Sequence, residues 1–252
     1  MNLIKFEPSD NVYGYTTFKM DDSFSSNNLS FTVGNDSLRV IQNRESLATQ
    51  IGQPLNRWVF ARQAHTDKIA KVTKEDAGRG AYQHEDGIEG VDGLYTFEKN
   101  LVLAFFHADC VPVLLSDAST GMIAAIHSGW QGTLREITKK AINQIIENEH
   151  IDPKNIKAYV GPCLAVENSR IGEDLRPYLD ASTFDKSAYI TPLKNAYQID
   201  TRGLTLRMLE DAGVLGQNIQ IINEDTYTEA DKYFSFQRDN DTGRHLTFIY
   251  QK

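Results

Sequence analysis

Two apolar runs, Val111–Ser116 and Met122–His127, flank the polar stretch Asp117-Ala-Ser-Thr-Gly121, and no other part of the chain constrains the fold as tightly. Strand-like runs on either side of a short polar connection form a β-hairpin. With a four-residue loop, Asp117–Thr120, Ser116 pairs with Gly121, and the same register sets Cys110 directly opposite His127. Directly opposite residues share a face, with Cβ atoms roughly 4.5–5.5 Å apart. A thiol and an imidazole are therefore expected to meet at the open end of the hairpin. A slip of one residue would put them on different faces.

Such a pair has three readings. It is a buried cysteine beside a hydrogen-bonded histidine, a thiolate nucleophile activated by histidine, or two ligands of a metal. A catalytic zinc site keeps three protein ligands and one open position. His65, in Arg62-Gln-Ala-His-Thr66 just past a strand, is the best placed third ligand. His107 competes, although in an extended segment it faces away from Cys110. His84 falls in a glycine-rich loop, His150 at a helix end and His245 near the C-terminus. After His127, Ser128-Gly-Trp-Gln-Gly-Thr133 leads into a helix, and a glycine-containing turn at a helix start offers free N–H groups to an anion. Gly129, Gln131, Gly132 and Thr133 are thus candidate phosphate contacts, against the plainer reading of a strand–turn–helix connection. Asp109 is the nearest carboxylate, as an acid/base group, a partner of the ligands or a strand cap.

Asn35 or Asp36 is predicted to cap a helix to Ile51, with Leu38, Ile41, Leu47 and Ile51 on one face and Gly52 as its stop. Thr133 is the expected N-cap of a helix to about Glu149, and a third helix spans about Thr201–Ala212 before Gly213. Arg57–Ala61, Leu101–Phe106, Lys157–Val160, Ile219–Asn223 and His245–Tyr250 read as further strands. Asp21–Asn28 and the glycine-rich Glu75–Gly93 read as loops, the second long enough to be functional. Strands often adjoin strands, which points to an α+β layered sandwich with mixed sheets. No linker or repeat divides the chain, so residues 1–252 are expected to form a single domain.

Composition narrows the partners. A net charge of −8 and a pI near 5.3 argue against nucleic acid or an anionic membrane as partner. Two cysteines cannot build a disulfide framework. MNLIKFEPSD lacks the apolar core of a signal peptide, and no apolar run approaches a membrane span. The expectation is a soluble cytoplasmic protein, a monomer or a homodimer.

Several motifs resemble the bacterial laccase-domain (YfiH) family, in the family's order and over nearly the whole chain. They are Gln63-Ala-His-Thr66, Val91-Asp-Gly-Leu-Tyr-Thr96, Ala108-Asp-Cys-Val-Pro-Val-Leu-Leu115, His127-Ser-Gly-Trp-Gln-Gly-Thr133, Gly161-Pro-Cys163, Phe234-Ser-Phe-Gln-Arg-Asp239 and Thr242-Gly-Arg244. The resemblance implies a layered α+β sandwich and zinc-dependent purine nucleoside phosphorylase activity, with adenosine deaminase and methylthioadenosine phosphorylase activity beside it. It implies metal ligands at His65, Cys110 and His127, and a phosphate or substrate contact at Arg44 of Asn43-Arg44. This chain departs from the family's habit at Gln131, where arginine is common, at Arg170, where glutamate is, and at Asp225-Thr-Tyr-Thr228, where a C-T-x-C is common.

Four-copper oxidase chemistry fails on counting. A blue-copper site takes two of the six histidines, and the remaining four cannot furnish a three-copper cluster. A single copper bound in vitro is compatible with the ligands. The reading is a zinc enzyme acting on purine nucleosides with phosphate, Arg44, Asp109 and Cys110 at its catalytic centre. The alternative is a metal-free cysteine hydrolase using Cys110 and His127 on an amide of cell-wall precursor metabolism.

Overall fold

The computed structural model describes residues 2–20, 27–34 and 36–252. Asn35 and most of the loop expected at 21–28 lie outside them. In chain order the strands are β1 (Leu3–Ser9), β2 (Val12–Thr17), β3 (Trp58–Arg62), β4 (Ile69–Lys71), β5 (Ile88–Glu89), β6 (Gly93–Thr96), β7 (Val102–His107), β8 (Val111–Asp117), β9 (Met122–Ser128), β10 (Lys157–Val160), β11 (Ile190–Leu193), β12 (Ala196–Ile199), β13 (Ile219–Ile221) and β14 (His245–Gln251). The helices are α1 (Ser37–Ile51), α2 (Trp130–Leu134), α3 (Ile137–Glu149), α4 (Arg176–Ala181) and α5 (Thr201–Asp211). One sheet has the order β1-β2-β14-β7-β3-β5 and the other β13-β10-β8-β9-β6-β4, both mixing parallel and antiparallel pairs. This is the expected α+β layered sandwich.

The inner faces of the two sheets share one core. Leu103 and Phe105 of β7 meet Leu114 of β8 and Ile123 and Ala125 of β9 there. Outward, Val111, Val113 and Leu115 pack with Ile142 and Ile145 of α3 and Leu209 of α5. On the other sheet, Val102, Ala104 and Phe248 pack with Leu47 and Ala48 of α1. Strands covered on both faces are apolar at successive positions rather than alternately, and β8 and β9 are buried throughout.

The hairpin forms, with a correction of register. Asp117 pairs with Met122, and Pro112, not Cys110, lies opposite His127. The turn is shifted because Gly121, at φ +77°, takes the left-handed position within it. A shift of two residues preserves the face, so Cys110, two before Pro112, still stands on His127's side, diagonal to it. That side is the inner one.

Helix α1 begins and ends as expected. Asp36 accepts a hydrogen bond from the Arg39 N–H (2.9 Å), and Gly52 closes the helix in the left-handed conformation. Its inward face differs: Leu38 is 75% exposed, and Val40, Arg44, Leu47 and Ala48 are the buried residues. The helix expected from Thr133 is two helices. Thr133 lies inside α2, its hydroxyl 2.9 Å from the Gly129 carbonyl, and Glu136 at φ +62° breaks the chain before α3. Strands β1 and β2 escape the sequence pattern because Pro8 and Gly14 interrupt them. Gly14 is required by close approach, since a Cβ there would fall 2.8 Å from Leu114 Cδ1.

Arg44 is also placed differently from the expectation. It is 2% exposed, and its guanidinium donates to the carbonyls of Leu29, Gly80 and Ala81, each at 2.7 Å. The rings of Phe31, Phe60 and Phe106 lie 4.1, 4.4 and 5.0 Å from it. Burial pulls its pKa down to about 9, so it remains charged at neutral pH. Its work is to fasten α1 to the start of the 81–87 loop. Arg44→Met should therefore lower stability by about 3 kcal/mol or more, because each buried carbonyl left without a donor costs roughly 1–3 kcal/mol. In thermal denaturation this is a fall in Tm of about 6 °C or more. A variant that melts like the wild type but binds phosphate poorly would restore the expected contact.

Candidate metal centre

Three chain segments meet at one end of the inter-sheet layer. Cys110 stands on the bend between β7 and β8, where Asp109 at φ +87° turns the chain. His127 comes from β9, and His65, at φ +55°, from the loop after β3. Their ligand atoms all lie within 4.8 Å of one another. Gly129 permits the convergence, because a Cβ at that position would fall 2.7 Å from His65 Cδ2 and 3.1 Å from Cys110 Sγ.

Asp92, unassigned by sequence reasoning although it lies in the Val91-Asp-Gly motif, holds the ligands in place. Its fully buried carboxylate accepts from the N–H groups of Ala64 and His65, each at 3.1 Å, and from the Thr66 N–H at 2.6 Å. It also takes the Thr66 hydroxyl at 3.0 Å, and its Oδ1 lies 2.9 Å from His127 Nδ1. Burial alone would raise its pKa, but His127 and the backbone N–H groups outweigh that and bring it to about 2. As a carboxylate it fixes the His127 hydrogen on Nδ1 and frees Nε2 toward Cys110. Arg135 secures His65 from the other side by donating to its carbonyl at 2.9 Å.

Burial disfavours charge on both Cys110 and His127, yet each stabilises the other: the thiol is pulled down, toward thiolate, and the imidazole up. One sulfur and two imidazole nitrogens, with a carboxylate behind one imidazole, make a donor set suited to a borderline-soft divalent ion. The trio is thus able to hold a metal, with an open side toward a cavity of ≈ 490 Å³.

That cavity contains His65, Cys110 and His127 in its wall, with Phe106, Trp130, Ile171 and Phe236 as apolar surface. Gly129, Gln131, Gly132 and Thr133 are not in the wall; of that turn only Trp130 is. The buried Thr133 hydroxyl bonds within the turn, and Gly132 lets the turn approach the His65 loop, since a Cβ there would fall 2.9 Å from the Thr66 carbonyl. Asp109 does line the cavity, but both its oxygens are engaged, by the Thr226 hydroxyl and the Gln237 N–H at 2.6 Å each. Burial raises its pKa against those bonds. It ties the C-terminal loop to the site. The cavity's cations are Arg170 and Arg244. Arg244 is half-buried, its guanidinium anchored on the Thr242 and Gly243 carbonyls (2.6 and 3.1 Å); burial lowers its pKa, while Cys110 and Asp109 favour its charge. Arg244 ends the Thr242-Gly-Arg motif, which was the available signal for it. His84 also reaches the cavity, which gives the glycine-rich loop a part in the site.

Among the described residues no helix is long and apolar enough to cross a membrane. Comparison with known proteins agrees with the geometry. The chain is 34% identical over 250 residues to purine nucleoside phosphorylase YlmD of Bacillus subtilis (strain 168), covering 96% of this chain and 88% of that one. It is 36% identical over 246 residues to the protein of that name from Geobacillus stearothermophilus (94% and 89% covered). The crystal structure of YlmD from Geobacillus stearothermophilus superposes with a TM-score of 0.91 at 32% identity, covering 98% of this chain and 94% of that one. The hypothetical protein YfiH of Bacillus licheniformis superposes at 0.90 and 29%, over 96% and 93%. Residues 17–252 match the family described as multi-copper polyphenol oxidoreductase laccase, and the chain belongs to that laccase-domain (YfiH) family.

Proposed function

We propose that this protein is a cytoplasmic, zinc-dependent purine nucleoside phosphorylase, cleaving adenosine, inosine or methylthioadenosine with phosphate to the free base and ribose 1-phosphate. The observation that carries the reading is one cavity combining the His65–Cys110–His127 trio, the Arg244 guanidinium and an apolar wall of Trp130, Ile171 and Phe236. The relatives' names support it. His65, Cys110 and His127 would hold the zinc, which supplies Lewis-acid charge beside the reacting centre.

In phosphorolysis an oxygen of phosphate bonds to ribose C1′ as the C1′–N9 bond breaks. The base leaves with the electron pair and takes up a proton. Arg244 is assigned to hold the phosphate, since a guanidinium matches its oxygens in pairs, with Arg170 as the second cation of the wall. Trp130 and Phe236 offer flat apolar surface to the purine. Asp109 keeps Gln237, and with it the loop bearing Phe236, against the site. Adenosine deamination would be the water-dependent activity of the same cavity.

A second reading is favoured by one observation: Cys110, His127 and Asp92 also stand in the order nucleophile, base and orienting carboxylate. Amide hydrolysis by Cys110 would need no metal and no third imidazole.

Three outcomes are expected. Protein purified without chelator should carry one zinc per chain by elemental analysis. Cys110→Ala should lose it, and Asp92→Asn should weaken binding about 10–100-fold; full occupancy in Cys110→Ala would refute the ligand set. Adenine release from adenosine should require phosphate, and Arg244→Ala should raise the phosphate KM about tenfold or more, as one charged hydrogen bond contributes roughly 1.5–3 kcal/mol. Equal release with and without phosphate refutes phosphorolysis. Iodoacetamide should label Cys110 slowly in the zinc-loaded protein and fast after chelation. Fast labelling of the loaded protein with parallel loss of activity would establish the hydrolase.

A further inference from the structure

A buried polar seam crosses the apolar layer between the two sheets. Tyr159 of β10 donates its hydroxyl to Thr16 Oγ1 of β2 at 3.0 Å. Thr16 Oγ1 lies 2.8 Å from Thr247 Oγ1 of β14, which in turn lies 2.8 Å from His107 Nε2 at the end of β7. None of the four is more than 2% exposed. Its other end is the ligand cavity, which His107 lines beside Phe106 and Ala108.

The direction of the hydrogen bonds follows by counting protons. A hydroxyl has one hydrogen to give. Tyr159 gives its own to Thr16. Thr16 then gives its hydrogen to Thr247, its one remaining partner among the described residues, and Thr247 gives to His107 Nε2. Nε2 is an acceptor, so the ring hydrogen sits on Nδ1. That Nδ1 is buried and has no partner among the described residues. A buried donor without an acceptor costs roughly 1–3 kcal/mol, and at a cavity wall a ligand atom is what can supply the acceptor. The neighbouring His245 does not compete for it as an acceptor. Its Nε2 takes the Phe234 N–H at 2.7 Å, so its own hydrogen also lies on Nδ1.

We propose that His107 is a specificity residue: a neutral imidazole locked by the Tyr159–Thr16–Thr247 chain in the Nδ1–H form, donating a hydrogen bond to an acceptor atom of the purine nucleoside bound in the cavity. The ligand half of this inference rests on the phosphorylase reading above; the tautomer half does not. Burial holds the ring well below its usual pKa, so the donor persists unchanged through neutral pH.

The test is long-range ¹H–¹⁵N correlation on the zinc-loaded protein labelled at histidine, before and after addition of inosine. The expected spectrum shows the Nδ1-protonated form for His107, with the Nδ1 proton moving downfield on binding. Thr247→Val should let the tautomers mix. His107→Phe should weaken inosine binding about three- to tenfold at unchanged zinc content, and His107→Asn, whose amide nitrogen overlies Nδ1, should recover most of the loss. A merely structural role would not be rescued in this way. An Nε2-protonated ring in the wild type, or an Nδ1 signal indifferent to inosine that nonetheless binds, overturns the proposal. Failure of the wild type to bind any purine nucleoside overturns the ligand half and the phosphorylase reading together, and leaves the tautomer to the spectrum alone.

Discussion

The carboxylate of Asp92 draws together backbone from the 64–66 loop and the imidazole of β9. Without it the N–H groups of Ala64, His65 and Thr66 would point at an empty interior, and His65 would have no reason to hold a left-handed backbone that a non-glycine residue seldom adopts. Anionic oxygens inside a protein are tolerated when hydrogen bonds replace their hydration, and here those bonds do a second task by aiming two imidazoles. The Asp92 backbone joins in as well, its carbonyl accepting from the His127 N–H at 2.7 Å. Loop, strand and side chain are registered to one another through a single residue. The trio's geometry is therefore set before any ligand arrives, which is the condition for a site that binds rather than one that is moulded by binding.

The layering then decides which side chains reach that end of the molecule. Odd-numbered positions of β7 and β9 and even-numbered positions of β8 face the space between the sheets, so His107, His127 and Cys110 inherit their side from the apolar residues that precede or follow them. The end that carries the trio is the continuation of the core with polar residues in place of Leu and Ile. That explains why the His127 imidazole lies 6.1 Å from the Phe105 ring, and why Asp92, Cys110 and His127 owe their charge states to one another and to backbone N–H groups rather than to water.

Local pattern made the hairpin, the limits of α1 and the meeting of His65, Cys110 and His127 legible. The hairpin's register differs from the expected one by two, and Cys110 and His127 still share a side because the face repeats every second residue. Arg44 shows the opposite case. Nothing in Asn43-Arg44 distinguishes an arginine that meets phosphate from one that meets three carbonyls, since both demand a guanidinium. The side-chain partners of Asp92 lie 26 to 35 positions away, and Arg244 meets Cys110 and Asp109 from the far end of the chain; such partners are chosen by topology, not by their neighbours in the chain. The break between α2 and α3 rests on the unusual backbone of Glu136, for which its residue type provides no cue.

The complete burial of β8 and β9 has a consequence for motion. Amides in strands covered on both faces exchange with solvent only when much of the molecule opens. The 64–66 segment has no ladder of its own and by itself would open readily. Its N–H groups are instead bonded to Asp92, which is bonded to His127 of β9. In hydrogen-exchange terms the loop is thus annexed to the slowest unit of the fold, so the mouth of the cavity next to His65 opens on the timescale of the core.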